Sequence, residues 1–211
     1  MSQTDSPRGG QLEEQRIGSA LSFMERYDPD HPHAFQVERL SGLLFDLLTG
    51  LHRMGDPERR LLSLASLLHD IGWSVPSRPH HKASMDLILS DTTIPLTPSD
   101  RQIVALIARY HRKAHPDPSH SSFARLNNKE KRQVRWSAGI LRLADALDRF
   151  HRSSVQGLSI QTGEGVIQID CRTTDDHIPE PETRVLEKKS ALLSEVTGCR
   201  IEILWNQTST K

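Results

Sequence analysis

The sequence predicts a mainly helical core followed by a small α+β appendage. Up to about residue 151, apolar residues recur at intervals of three and four, which is typical of amphipathic helices. From Val155 onward, short β-prone runs replace that spacing, and the turn-forming segment Thr162-Gly163-Glu164-Gly165 separates two of them. One more helical segment and a third β-prone run follow. We therefore expect an all-helical core with a β-β-α-β appendage.

Within the core, helical periodicity and turn signals together place the elements. We expect six helices, at about residues 13–27, 33–48, 57–70, 82–89, 98–113 and 129–151. The fifth has the clearest start, because Thr97 can cap a helix and Pro98 fits its first turn. Residues 115–128 predict a surface loop without regular structure.

The appendage is predicted from a change of period and from one glycine. Residues 155–160, 166–169 and 199–205 read as strands, the first two forming a hairpin. A helix at residues 181–196 should end at Gly198, a good C-terminal cap. One face of this sheet is apolar and needs the helix as its cover.

The segment boundaries follow from these patterns. We expect a flexible tail at residues 1–10, a core at residues 11–154, an appendage at residues 155–205 and a polar tail at residues 206–211. The appendage is too small to fold stably by itself, whereas the core should stay folded without it.

Composition indicates a soluble globular protein of the cytoplasm. Of 211 residues, 36% are apolar and 26% are charged, and chains of this composition fold rather than stay disordered. No apolar run approaches the length of a membrane span, so we expect no membrane partner. The first ten residues lack the apolar centre of a secretory signal. Two cysteines are too few for a disulfide scaffold, which favours a reducing compartment.

An imidazole and a carboxylate stand side by side at His69 and Asp70, where the third predicted helix ends. Adjacent helical residues point about 100° apart, so they can share one small target only where the helix is ending. Gly72 permits the sharp exit that this would need. Many helices end in a polar pair without function, so the pair alone leaves both interpretations open.

Two more residues fit the same target. His33 begins the second predicted helix, and helix starts and ends from different elements meet at one rim of an antiparallel bundle. Asp145 lies among apolar neighbours, and a buried carboxylate almost always has a partner or a metal. The alternative for Asp145 is an ion pair with Arg142 or Arg149 at helical spacing. Imidazole and carboxylate groups converging at the rim would suit a divalent transition metal with positions open to water.

Positive charge is concentrated in one part of the chain, although the net charge is zero. Residues 101–152 contain twelve Lys and Arg against four Asp and Glu, whereas residues 157–205 contain five against nine. The basic run is compatible with solvated helix faces or with a surface that attracts phosphates. Nucleic acid is a weaker interpretation, because no recognised nucleic-acid-binding motif accompanies the basic residues.

These residues resemble a known family. The residues His33, His69, Asp70 and Asp145 match the H…HD…D pattern of the HD superfamily of metal-dependent phosphohydrolases. The segments HDIGW, HHKAS, ALIARYHRKA and LRLADALDR are similar to the C-terminal half of the exopolyphosphatase/guanosine-pentaphosphate phosphohydrolase (Ppx/GppA) family, as is the β-β-α-β ending. The resemblance covers about residues 27–205 and implies an HD-type helical core.

The resemblance also implies a chemistry. It points to a metal-dependent phosphohydrolase acting on a phosphate ester or anhydride, such as a nucleotide, a (p)ppGpp-like compound or polyphosphate. One divalent ion (Mn, Fe, Zn, Ni or Mg) would lower the pKa of a bound water. Its ligands would be His33, His69, Asp70 and Asp145. A homodimer is also compatible with the sequence.

Further roles follow for the residues near the end of the fifth predicted helix. His111 would be a catalytic proton donor to the leaving group or would neutralise phosphate charge. The residues expected to bind phosphate are Arg109, Arg112, Lys113 and His81. For Lys113, the alternative is an exposed side chain that only favours the helix dipole. Trp73 and the loop after it should border the site.

Two features depart from the family. Full-length members carry an N-terminal actin-like half, to which nothing in these 211 residues corresponds. Family sequences tend to read His-His-Lys-His-Ser, but this chain reads His80-His81-Lys82-Ala83-Ser84. Ala83 cannot ligate a metal, and either neighbouring histidine could substitute. The alternative function is therefore a non-catalytic phosphate- or nucleotide-binding regulatory module.

Overall fold

The computed structural model describes the backbone of residues 7–173 and 180–207 and the side chains of residues 10–173 and 184–206. Its elements in chain order are α1 (Pro7–Tyr27), α2 (His31–Leu47), α3 (Thr49–His52), α4 (Asp56–Leu67), α5 (His80–Ser90), α6 (Pro98–Tyr110), α7 (Ser121–Ala124), α8 (Asn128–Leu147), β1 (Val155–Gly163), β2 (Val166–Thr173), α9 (Glu180–Thr197) and β3 (Arg200–Gln207). The predicted fold class is confirmed. None of these helices has both the length and the apolar character needed to cross a membrane.

Side-chain caps determine where the main helices begin. Asp30 accepts a hydrogen bond from the backbone nitrogen of His33 at 3.3 Å, so α2 begins two residues earlier than predicted. Thr97 accepts from the backbone nitrogen of Asp100 at 3.1 Å, which confirms the predicted start of α6. A reciprocal capping box begins α8. The tail predicted at residues 1–10 overlaps α1, which begins at Pro7; residues 1–6 and 208–211 lie outside the described part.

Three predicted helices end earlier than expected, and one predicted loop contains a short helix. The first, α6, ends at Tyr110 rather than at residue 113. The backbone of α4 leaves the helix after Leu67, and a short 3₁₀ turn, Ile71–Ser74, follows. Likewise, α8 ends at Leu147 rather than at residue 151. The predicted loop at residues 115–128 contains α7, because Phe123 and Leu126 there are buried and anchor the segment.

The three strands form one sheet in the order β1-β2-β3. β1 and β2 are antiparallel, which confirms the predicted hairpin, with Gly165 at a φ of +68° in its turn. β3 runs parallel to β2, and the crossover between them passes through α9. Gly198, at a φ of +70°, ends α9 as predicted.

The appendage and the helical bundle share apolar contacts along α8. This helix contacts α2, α4 and α6 and also packs against α9. At Gly139 the two backbones approach so closely that an added Cβ would lie 3.2 Å from the backbone nitrogen of Leu193. A continuous cluster of buried apolar side chains includes Ile169 of the sheet, Leu193 of α9 and Leu141 of α8. This packing determines where the side chains of α9 lie relative to the bundle.

Candidate metal centre

Two triads of buried side chains meet at one carboxylate, that of Asp70. One triad consists of His33, His69 and Asp70, and the other of Asp70, His80 and His111. Within each triad, the candidate ligand atoms lie within 4.8 Å of one another. None of the five residues is more than 9% exposed. They lie in the first turn of α2, the turn after α4, the first residue of α5 and the residue that follows α6. Helix ends thus supply every member.

Gly72 lets the start of α5 reach the turn that carries Asp70. A Cβ at Gly72 would clash with the carbonyl oxygen of His80 and would lie 2.5 Å from the backbone nitrogen of Ser84. The Ser84 hydroxyl donates to the carbonyl oxygen of His69 at 2.6 Å and accepts from the backbone nitrogen of Gly72 at 2.9 Å. Gly72 has no left-handed φ. The turn that carries Asp70 and the start of α5 can approach because Gly72 has no side chain, and not because its backbone has an unusual conformation.

Three of the four histidines use Nδ1 to donate a hydrogen bond to the protein. The acceptors are Asp148 Oδ2 for His33 at 2.8 Å, the Ser66 carbonyl for His69 at 2.7 Å and the Ala108 carbonyl for His111 at 2.7 Å. Because carboxylates and carbonyls only accept, Nδ1 must carry the proton in each ring. In the neutral imidazole, Nε2 then keeps its lone pair. Histidines that bind metals almost always have such an anchor on the other ring nitrogen.

Several of the converging atoms have no hydrogen-bond partner. His33 Nε2, His69 Nε2 and Asp70 Oδ1 are fully buried and unpaired among the described residues. The nearest polar neighbours of Asp70 Oδ1 are the Nε2 atoms of His80 and His111, each at 3.5 Å. Leaving buried polar atoms unpaired costs free energy, so native proteins rarely do it without a ligand or a function. The donor set fits a divalent transition metal.

Asp145 approaches the first triad from α8. Its Oδ1 lies 3.6 Å from His33 Nε2, and its Oδ2 lies 2.5 Å from Lys189 Nζ on α9. Within the described part of the chain, its basic side-chain partner is this lysine. Asp145 thus forms an ion pair, as the alternative to metal binding expected, but with a lysine that α9 brings from 44 residues away in the sequence rather than with Arg142 or Arg149.

The environment separates the protonation states of these groups. Burial lowers the pKa of His111 to about 3, so its imidazole is neutral near pH 7. Burial would also lower the pKa of His33, but the nearby carboxylate of Asp145 and the hydrogen bond to Asp148 raise it to about 10. Burial would raise the pKa of Asp145, but the charge of Lys189 and the nearby His33 imidazole hold it well below its usual range. His33 therefore carries a proton that a metal must displace.

A cavity of about 390 Å³ opens onto the second triad. Its lining includes the basic side chains Arg112, Arg149 and Lys189. Trp73 and Phe150 also line it, and they are 59% and 49% exposed. The Trp73 ring stacks on that of His80, with ring centroids 4.0 Å apart. Basic side chains and exposed aromatic rings therefore line this cavity. Trp73 borders the site, as expected.

Of the four residues predicted to bind phosphate, Arg112 lies at this cavity. The other three, Arg109, Lys113 and His81, are not among its lining residues. Arg109 and Arg112 are three residues apart, but α6 ends at Tyr110, between them, so helical spacing does not place them on one side. Lys113 is exposed with a φ of +63°, and His81 is buried with its ring beside that of His80.

Sequence reasoning missed several neighbours of the centre. Asp148, which anchors His33, follows Asp145 by three residues and is part of the segment LADALD, so a signal existed. The sequence indicated His80 only as a possible substitute for the histidine that other family sequences have at the position of Ala83. For Lys189 the sequence offers no signal, because only the packing of α9 brings it to the site.

Comparison with protein families identifies the family of this chain. A family model described as Ppx/GppA phosphatase, domain III, matches residues 16–192, most of the 211-residue chain. The matched range contains both triads, Asp145 and Lys189. The chain therefore belongs to the Ppx/GppA phosphatase domain III family.

Proposed function

We propose that this chain is a metal-dependent phosphohydrolase of the HD type that acts on a phosphate ester or anhydride. The observation that carries the proposal is the convergence of four buried histidines on Asp70. Among the described residues, the Nε2 atoms of two of them, His33 and His69, are unpaired, and three of the four Nδ1 atoms are anchored by hydrogen bonds. Membership of a phosphatase-related family supports a phosphate-containing substrate. The exposed cavity beside the second triad supplies access.

The residues divide into two ligand sets. The first divalent ion would be held by His33, His69, Asp70 and Asp145. The second triad could hold another ion, with Asp70 shared between the two sites. When bound, such ions would activate a water for attack on phosphorus and polarise a phosphoryl oxygen. His80 thereby fills the role that Ala83 cannot.

His111 is better suited to be a ligand than a proton donor. Its Nδ1 proton is committed to the Ala108 carbonyl, and its low pKa leaves Nε2 without a proton near pH 7. Its Nε2 lies 3.3 Å from that of His80 and 3.5 Å from Asp70 Oδ1, the spacing of groups that share a ligand. We therefore reassign His111 from the proposed acid to the second ligand set.

The cavity lining suggests how a substrate would bind. Arg112 and Arg149 would bind phosphates beyond the one undergoing attack. The open faces of Trp73 and Phe150 can stack on a nucleobase, which polyphosphate lacks. Among the phosphate compounds considered, this favours a nucleotide.

Metal analysis paired with a phosphate-release assay tests the proposal. The purified wild-type protein should contain or bind at least one Mn²⁺ per chain and should release phosphate from a nucleotide. Asp70→Asn should lose both properties, because that carboxylate belongs to both ligand sets. Asp86→Asn is a matched control on α5, since Asp86 pairs with Arg78 outside the site. Metal binding without phosphate release from any nucleotide or polyphosphate would instead support the non-catalytic binding module.

Trp73→Ala tests the substrate class. We expect the Michaelis constant for a nucleotide to rise about fivefold or more, because base stacking on an aromatic ring contributes about 1–3 kcal/mol. The constant for polyphosphate should not change. Phe35→Ala removes an exposed ring of α2 that does not line the cavity and serves as the control. Equal effects of Trp73→Ala on both substrates would mean that the ring shapes the cavity but does not stack on a base.

A further inference from the structure

The C-terminal appendage places one charged group against the candidate metal centre. Lys189 of α9 has a side chain only 16% exposed, and its Nζ lies 2.5 Å from Asp145 Oδ2. The same ammonium donates to the carbonyl oxygen of His111 at 3.3 Å. This lysine therefore touches residues of both ligand sets.

The position of Lys189 is imposed by packing. Leu192 and Leu193, one turn further along α9, are fully buried. Next to them, α9 meets α8 at Gly139, where an added Cβ would lie 3.2 Å from the backbone nitrogen of Leu193. The buried leucines and this close backbone contact set the position of α9 on α8. Packing of α9 therefore keeps Lys189 at the candidate metal centre.

The two oxygens of Asp145 have different neighbours. Oδ1 lies 3.6 Å from His33 Nε2, and Oδ2 contacts the ammonium of Lys189. An ion pair to one oxygen restricts rotation of the carboxylate and so keeps the other oxygen beside His33. Carboxylates that bind metals are themselves commonly held by hydrogen bonds in this way.

We propose that Lys189 is a positioning residue that holds Asp145 Oδ1 toward His33 and thereby makes metal affinity depend on α9. The proposal rests on the proposed function in so far as it takes Asp145 as a metal ligand. The C-terminal part of the chain then completes the metal centre as well as covering the bundle. A lysine that competed with the metal would instead lie among the imidazole nitrogens, but Lys189 contacts the outer carboxylate oxygen and a backbone carbonyl.

The test is a calorimetric titration of the full chain with Mn²⁺ at one pH. Lys189→Met should weaken Mn²⁺ binding about 10–100-fold, the usual effect of losing such a supporting group. Lys189→Arg, which keeps a cationic donor, should restore most of the affinity. Lys188→Met removes the neighbouring exposed lysine of α9 and should bind Mn²⁺ like the wild type. Unchanged or tighter binding by Lys189→Met would overturn the proposal, and tighter binding would identify the lysine as a competitor.

A folding measurement and a phosphate-release assay separate a loss of metal affinity from unfolding and from a role in substrate binding. Circular dichroism and thermal unfolding of the metal-free proteins show whether Lys189→Met is folded; if it is not, Lys189→Gln replaces it in the titration with the same expected loss. Phosphate release by Lys189→Met is also measured at saturating Mn²⁺. A low rate there with unchanged Mn²⁺ affinity would mean that the lysine binds substrate, which also overturns the proposal. Wild-type protein that binds Mn²⁺ but releases no phosphate contradicts the hydrolase function and leaves the Mn²⁺ comparison valid.

Discussion

At the scale of single residues, the contact made by each Nδ1 atom decides what its histidine can do. In His33 this contact is Asp148, a buried carboxylate whose other oxygen accepts from the backbone nitrogen of Ser153 at 2.7 Å. The carboxylate is therefore fixed from two sides and fixes the ring in turn. The His33 ring also stacks on that of His151 at a centroid distance of 3.7 Å. This support leaves Nε2 aimed at the centre.

Asp148→Asn tests the anchor of His33. An amide can present its nitrogen to Nδ1 and favour the tautomer in which Nε2 carries the proton. We expect Mn²⁺ affinity to fall about 10–100-fold, as is usual when the anchor of a ligand histidine is lost. The measurement is the dissociation constant for Mn²⁺, with Asp86→Asn as an exposed control. Wild-type affinity in Asp148→Asn would contradict the assigned tautomer.

The protonation of His33 predicts how metal binding depends on pH. Without metal, its pKa of about 10 lies above the ordinary 6.5, because the nearby carboxylate of Asp145 and the hydrogen bond to Asp148 outweigh burial. Each unit of rising pH between about 6.5 and 10 should strengthen Mn²⁺ binding by up to about tenfold, as the proton competes less. Titrations at three pH values measure this. A slope of zero would show that no proton is displaced.

Rising pH should have the opposite effect on the stability of the metal-free protein, which it should lower. A raised pKa means that protonated His33 stabilises the metal-free fold, and this contribution is fully present below about pH 6.5 and is lost as pH rises through about 10. Urea unfolding of the metal-free protein should therefore give a lower free energy of unfolding at pH 10 than at pH 7. His33→Gln should reduce that difference.

At the scale of elements, helix ends rather than helix faces build the centre. Periodicity predicted that α4 would run to Asp70, but the helix ends at Leu67, and the turn that follows frees His69 and Asp70 to point at one place. Apolar spacing cannot locate such an end, because the residues after it are equally buried. The start of α6 was predictable, because a capping residue with a proline after it is a local signal.

Gly72→Ala tests the contact between the turn and α5. The added Cβ would collide with backbone atoms of the first turn of α5, which cannot move aside like a side chain. We expect a loss of about 1–3 kcal/mol in the free energy of unfolding, as for other overpacked sites, together with lower Mn²⁺ content. Gly50→Ala is the control, since nothing lies within 4 Å of its added Cβ. Equal stability of the two variants would contradict this role.

At the scale of the whole molecule, the appendage and the bundle meet along α8. The sequence predicted that residues 11–154 would stay folded without the appendage, and that remains a prediction. Because α9 packs on α8, the most buried helix of the bundle, removing α9 would uncover apolar surface there and should make the core less stable. Lys189 would be removed at the same time.

A truncation that ends at residue 152 tests both consequences. We expect helical circular dichroism to persist, the unfolding temperature to fall and Mn²⁺ affinity to drop, with the full chain as reference. The loss of affinity should be at least as large as that of Lys189→Met, because the truncation also removes Ser153, whose backbone nitrogen holds Asp148. Complete loss of helical signal would show that the two parts form one folding unit.

The sequence by itself determined the main helices and strands, though not the short helices α3 and α7, and it singled out candidates for the centre. Helix and strand periods, caps and turn glycines are local signals, so the order of helices and strands could be predicted from short windows. His33, His69, Asp70 and Asp145 could be singled out because polar groups at helix ends or in apolar surroundings need an explanation. Only the tertiary structure decided that His80 rather than His81 faces Asp70 and that Lys189 contacts Asp145. The physical reason is that packing between distant helices aims these side chains, and no local pattern records that packing.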